Sequence, residues 1–136
     1  MRMCTPLLRV AMLTAILSAA RAADPPPPVQ TPLVEASQLL SEQKAAKPLV
    51  LDVRTPGEFS AGHVPGAINI PHDQLATRLA ELPSSRDEPV VVYCRSGRRA
   101  ALAEDVLRQN GYSNVRHLKG DMLGWEAESR PVERAK

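Results

Sequence analysis

Val90-Val91-Val92-Tyr93-Cys94-Arg95-Ser96-Gly97-Arg98-Arg99-Ala100 is the stretch that decides the fold of this chain. Residues 90–93 are a short, continuous β-branched run closed by an aromatic and preceded by Pro89, which predicts a buried strand. Arg98 to Gln109 predicts a helix that buries Ala101, Leu102 and Val106 and stops at Asn110-Gly111. A strand that runs through a tight turn into a helix is half of a parallel βαβ unit.

The same alternation continues on both sides. Leu33-Val34 is a weak first strand, and Ser37 to Ala45 is a helix that must end before Lys47-Pro48, because the residue before a proline avoids the helical region. Leu49 to Val53 is a buried strand. Thr55-Pro56-Gly57-Glu58 carries an N-cap, a proline at the first helical position and the acid of a capping box, so a short helix starts there. Ala67 to Ile70 forms a short strand, Asp73 to Leu82 an amphipathic turn or two, Val115 to Leu118 a last strand, and Gly120 to Glu128 a closing helix around Trp125. Strands alternating with helices predict an α/β domain with parallel strands, and a chain of 136 residues has room for one such core.

Ahead of that domain the chain has two other characters. Arg2 and Arg9, an apolar run from Val10 to Ala20, and Ala20-Arg21-Ala22 at A-x-A spacing predict a secretory signal peptide over residues 1–22, cleaved after Ala22. The apolar run has eleven residues against the roughly 20 that a spanning helix needs, and Cys4 precedes it, which argues against a membrane anchor and a lipoprotein. The expected location is periplasmic or secreted, with no membrane association after cleavage. Residues 23–32 hold five prolines and predict an extended linker; residues 33–130 are the domain and 131–136 a tail.

Cleavage would remove Arg2, Arg9 and Arg21, leaving 14 of the 17 basic residues against 15 acidic ones, so the formal +2 of the precursor becomes about −1. With one Trp, one Phe and two Tyr and no basic stripe, the chain lacks a nucleic-acid footprint. Cys4 would leave as well. Cys94 is then the single cysteine in an oxidising compartment, with no partner for an intramolecular disulfide.

Cys94 sits between the strongest strand and the best helix, where open α/β sheets place ligands. Amides of the loop and the dipole of the following helix favour an anion at that point. Arg95, Arg98 and Arg99 add positive charge and should lower the thiol pKa below its free value of about 8.5, while Gly97 lets the loop amides converge on sulfur. Against this stands the view of Cys94 as a small core hydrophobe. Three arginines and a glycine within five residues argue against it, and a sulfur sealed from solvent would argue for it.

A phosphate-handling cysteine loop, as in protein-tyrosine phosphatases and arsenate reductases, places its arginine six residues after the cysteine. Here that position is Ala100, the arginine stands at Arg99, and the residue before the cysteine is Tyr93 instead of histidine. The smaller loop suits a single transferred sulfur atom.

Cys94-Arg95-Ser96-Gly97-Arg98-Arg99 resembles the C-x-x-G-x-R active loop of single-domain rhodaneses. Leu51-Asp52-Val53-Arg54-Thr55-Pro56-Gly57-Glu58-Phe59 with Gly62-His63-Val64-Pro65-Gly66-Ala67-Ile68-Asn69-Ile70-Pro71 is similar to the N-terminal signature of the same family. The resemblance implies a central parallel sheet of about five strands flanked by helices. It also implies a sulfurtransferase that takes a sulfane sulfur from a small anion such as thiosulfate onto Cys94 as a persulfide. Cyanide, a thiol or a thiol protein would accept it; a carrier that holds the persulfide without turnover is the alternative. Amides of Arg95 to Arg99 would hold the anionic sulfur, Arg95 and Arg98 would attract the donor, and Arg99 would brace the loop. Asp52 and Arg54 are expected as structural support, Glu58 as a helix cap and His63 as a hydrogen-bonded turn residue. No cofactor is expected, and His63, His72, His117 and Cys94 lack metal-ligand spacing. The family often has two glycines before its terminal tryptophan helix; this chain has Gly120-Asp121, and an acid at the pocket rim is the expected consequence.

Overall fold

The computed structural model describes residues 24, 25 and 27–135, and the expected signal peptide with Cys4 lies outside the described residues. Five strands form one parallel sheet: β1 Leu33–Val34, β2 Leu49–Asp52, β3 Ile68–Asn69, β4 Val90–Tyr93 and β5 Val115–Leu118. Their order across the sheet is β1-β5-β4-β2-β3. Helices α1 Ala36–Ala45, α2 Pro56–Ala61, α3 Arg98–Gln109 and α4 Asp121–Ala127 connect and follow them, and two 3-10 turns, Leu75–Thr77 and Leu79–Glu81, lead into β4.

The strands are nearly all apolar because both faces of the sheet are covered. Val90 and Val92 of β4, and Cys94 directly after it, enter one core with Leu51, Val53, Ile70, Ala103 and Leu107. Val91 and Tyr93 enter the other with Val34, Leu39, Val50, Leu118 and Trp125.

The chain leaves β2 toward β3 and leaves β4 toward β5, in opposite directions. The switch point therefore falls between the carboxyl ends of β2 and β4, which are aligned with Asp52 opposite Tyr93. Asp52-Val53-Arg54 and Cys94 emerge there side by side.

One expectation needs correction. Helix α3 buries Ala100, Ala103, Glu104 and Leu107, while Ala101 and Leu102 are exposed and Val106 is half-buried. A charged residue thus replaces an apolar one on the inner face, because Glu104 finds partners there. The end of the proline-rich linker is tied to the domain: Thr31 donates to Glu104 at 2.8 Å and accepts from Arg108 at 2.6 Å, and the Pro32 carbonyl accepts from His117 N at 2.8 Å. The tail is also fastened. Glu133 pairs with His63 in an antiparallel bridge, and the Pro131 carbonyl accepts the Trp125 indole N–H at 2.8 Å.

Candidate active site

Cys94 follows directly on β4, and Gly97 caps α3 with φ +111°, a left-handed conformation that glycine tolerates. This turn brings the Gly97 N–H to 2.9 Å from Cys94 Sγ. Of the amides from Arg95 to Arg99 expected around the sulfur, it is the one in hydrogen-bond reach. The backbone of Cys94 is held from below: its carbonyl accepts from Met122 N at 3.0 Å, the Arg95 carbonyl accepts from Leu123 N at 3.2 Å, and its own N–H donates to Asp121 Oδ1 at 3.0 Å. The first turn of α4 spends amides that have no helical partner on this loop.

The sulfur is not open to solvent. Cys94 is 0 % exposed and belongs to the apolar core, whereas Arg95, Ser96 and Arg98 above it are exposed and Gly97 is half-buried. A sealed sulfur is the condition that favours the core-hydrophobe view, so the solvent-accessible reactive thiol expected of Cys94 is corrected: in this structure the thiol packs as part of the core. The residue continues the inward face of β4 and packs in the core with Val53, Ile70 and Ala100, while the tight β4–α3 turn brings the Gly97 amide to Sγ.

The arginines separate into different roles. Arg99 turns to Glu58, with Nη1 to Oε2 at 2.8 Å and Nη2 to Oε1 at 3.2 Å, so it ties α3 to α2. Glu58 also completes the capping box with Thr55. The Arg99 hydrogen bond, with smaller help from the Thr55 amide, outweighs burial and holds the Glu58 carboxyl down at about 2. Arg95 faces a cleft of about 240 Å³ beside the loop, together with Arg54, Glu58, Leu123 and Glu126.

Asp52 and Arg54 form a buried support behind the loop. Asp52 accepts from Arg54 Nη2 at 2.7 Å and from the Tyr93 hydroxyl at 2.6 Å, and Arg54 Nη2 also donates to the Gly62 carbonyl at 2.7 Å. The Tyr93 hydroxyl accepts from Val64 N at 3.1 Å. Burial, then the Asp52 charge, raises the Tyr93 phenol far above its usual range, so it stays a donor. His63 lies on the turn, with Nδ1 2.7 Å from the Phe59 carbonyl.

The sequence-based expectations missed the roles of His117 and Glu104 and misplaced Asp121. His117 bridges two carboxylates: its Nδ1 meets Glu104 and its Nε2 lies 2.9 Å from Asp121 Oδ2. Hydrogen bonds to Asp121 and then to Glu104 push the imidazole up to about 10, so it carries a positive charge at neutral pH. Asp121 is not at a rim but 4 % exposed beneath the loop, with φ +53°. A side chain in that left-handed conformation costs about 1 kcal/mol, which its bonds to the Cys94 amide and His117 offset. The spacing His117-x-x-x-Asp121 and the phase of Glu104 on α3 were the available signals.

A parallel α/β sheet with a cysteine loop between strand and helix at its switch point defines a class of thiol-centred domains. Within that class the chain belongs to the rhodanese-like domain family, whose model matches residues 35–128. It is 39 % identical over 84 residues to a sulfurtransferase of Allochromatium vinosum, covering 62 % of this chain and 77 % of that one. It is 37 % identical over 70 residues to the thiosulfate sulfurtransferase PspE of Escherichia coli, covering 52 % and 67 %. Among solved structures, a rhodanese-related protein of Thermoplasma volcanium superposes with a TM-score of 0.66 at 33 % identity, covering 76 % and 99 %. Family and relatives together support a sulfurtransferase-type function.

Proposed function

We propose that this chain moves a sulfane sulfur from an anionic donor such as thiosulfate to cyanide or a thiol acceptor through a persulfide on Cys94. The observation that carries the proposal is the Gly97 N–H aimed at Sγ from the head of α3. A donor at that place stabilises a thiolate and, later, the anionic sulfur of a persulfide. The thiolate attacks the sulfane sulfur, a Cys94 S–S bond forms, the donor S–S bond breaks, and its electron pair leaves with sulfite. Cyanide then takes the outer sulfur as thiocyanate and returns the thiolate. No proton is moved in either step, so no general base is required. Exposed Arg95 and Arg98 supply the field that draws the anion in. Because the sulfur is buried, the donor reaches it only when the Cys94 loop moves aside.

The likeness to a thiosulfate sulfurtransferase supports the donor class. The covered sulfur favours a second reading, a carrier that holds persulfide until a partner thiol protein opens the loop. Intact-mass spectrometry after incubation with thiosulfate separates these. One added sulfur atom on the wild type and none on Cys94→Ser supports transfer, and prompt thiocyanate release with cyanide supports turnover. Loaded protein that releases sulfur only slowly supports the carrier, and a native protein that never loads removes both. We also propose export to the periplasm or the exterior, on the basic and apolar pattern of residues 1–22. A mature N-terminus at Ala23 is the expected result of sequencing the secreted form.

A further inference from the structure

Beneath the Cys94 loop three titratable side chains form one buried line. Glu104 comes from α3, His117 from β5 and Asp121 from the start of α4. The side chains of Glu104 and Asp121 are 5 % exposed and that of His117 is 14 % exposed. Asp121 uses both oxygens: Oδ1 takes the Cys94 N–H at 3.0 Å and Oδ2 faces His117 Nε2 at 2.9 Å. The line therefore ends on the backbone of the residue that carries the sulfur. It also lies against Gly97, where an added Cβ would stand 3.2 Å from Asp121 Oδ2 and 3.7 Å from the His117 ring. Gly97 is the residue whose amide meets Sγ.

Two carboxylates and one imidazolium leave a surplus negative charge under the loop. Arg108 touches the line only at its far end, through Thr31, and is paired with Asp105. The remaining charged groups near the loop are Arg95 and Arg98 above it, Arg99 paired with Glu58, Arg54 paired with Asp52, and Glu126 in the cleft beside Arg95. None of these groups hydrogen-bonds to Glu104, His117 or Asp121.

We propose that Asp121 and His117 are positioning residues for Cys94, the carboxylate fixing the loop backbone while opposing negative charge on sulfur, and the imidazolium offsetting that opposition. This rests on the assignment of Cys94 as the reacting thiol. The two partners hold the same loop by one hydrogen-bonded line, yet act on the sulfur with opposite sign. A purely structural pair would loosen the loop in the same way whichever member is altered.

The test is the pH dependence of Cys94 alkylation by iodoacetamide in the folded full chain, with urea unfolding as a check on the fold. Asp121→Asn removes a negative charge and is expected to move the alkylation midpoint down by about one pH unit, for about tenfold faster reaction below the midpoint. His117→Gln removes the positive charge and is expected to move the midpoint up by a similar amount. Shifts of the same sign, or no shift in either variant, overturn the proposal. Should one of them fail to fold, Glu104→Gln decides in its place: it leaves the Asp121–Cys94 contact intact, and a smaller downward shift is expected, with an upward or absent shift overturning the idea. Persulfide loading of the wild type keeps the two proposals apart. Loading with unmoved midpoints removes the positioning pair alone, and opposite shifts without loading remove sulfur transfer alone.

Discussion

Replacing Tyr93 by phenylalanine removes one oxygen atom from a fully buried junction, and its cost follows from the partners left behind. The hydroxyl donates to Asp52 Oδ2 at 2.6 Å and accepts from Val64 N at 3.1 Å, and all three residues are 0 % exposed. A buried backbone N–H without an acceptor costs about 1–3 kcal/mol, and a lost hydrogen bond to a carboxylate a further 1.5–3 kcal/mol. Asp52 keeps Arg54, whose Nη2 lies 2.7 Å from the same oxygen, so the second contribution falls at the low end. The expected loss is about 2–4 kcal/mol, a large share of the roughly 5–15 kcal/mol that holds a domain together. In a domain of this size that lowers Tm by about 10 °C or more. Trp125 is the chain's one tryptophan and is 1 % exposed, so its fluorescence reports urea unfolding directly. The midpoint is expected to fall with an unchanged slope. A loss below about 0.5 kcal/mol would show that water or a repacked Arg54 satisfies these groups, and would refute the reasoning.

Four further outcomes follow from the same geometry. Gly97→Ala places a side chain at φ +111° and 3.2 Å from Asp121 Oδ2, so a loss of at least about 1 kcal/mol in urea and a changed rate of Cys94 alkylation are expected. His117 is raised from 6.5 to about 10 in the fold, so its contribution to stability is complete below about pH 6.5 and disappears as pH rises through 10; the unfolding midpoint of the wild type should decline across that window more steeply than that of His117→Gln. Glu58 is lowered from 4.5 to about 2, so its contribution is complete above about pH 4.5 and is lost as pH falls through 2. Because the side chain is one-third exposed, Glu58→Gln should cost about 1 kcal/mol or less at pH 6 and nothing near pH 2, by urea titration. Arg95→Ala is expected to raise KM for thiosulfate several-fold with an unfolding midpoint within about 0.5 kcal/mol of the wild type, because Arg95 is exposed; equal losses in both would count against a donor-attracting role.

The short-range features were legible in the residues themselves. The strand Val90–Tyr93, the helix Arg98–Gln109 and the capping box at Thr55 form where the sequence places them, since each depends on neighbours within a few positions: β-branching, a glycine with positive φ, a threonine and an acid three apart. The cysteine loop at the carboxyl edge of the sheet follows from the same local order. Only tertiary packing decided which face of α3 turns inward, because Glu104 is drawn to His117, thirteen residues away, against the preference of a carboxylate for water. Packing likewise placed Asp121, 27 residues from Cys94, under the loop instead of at its rim, and buried the sulfur in the core. Local patterning sets the conformation of a segment. Burial, and the charge on a buried group, depend on what distant segments bring against it, and those contacts exist only once the sheet has closed its two cores.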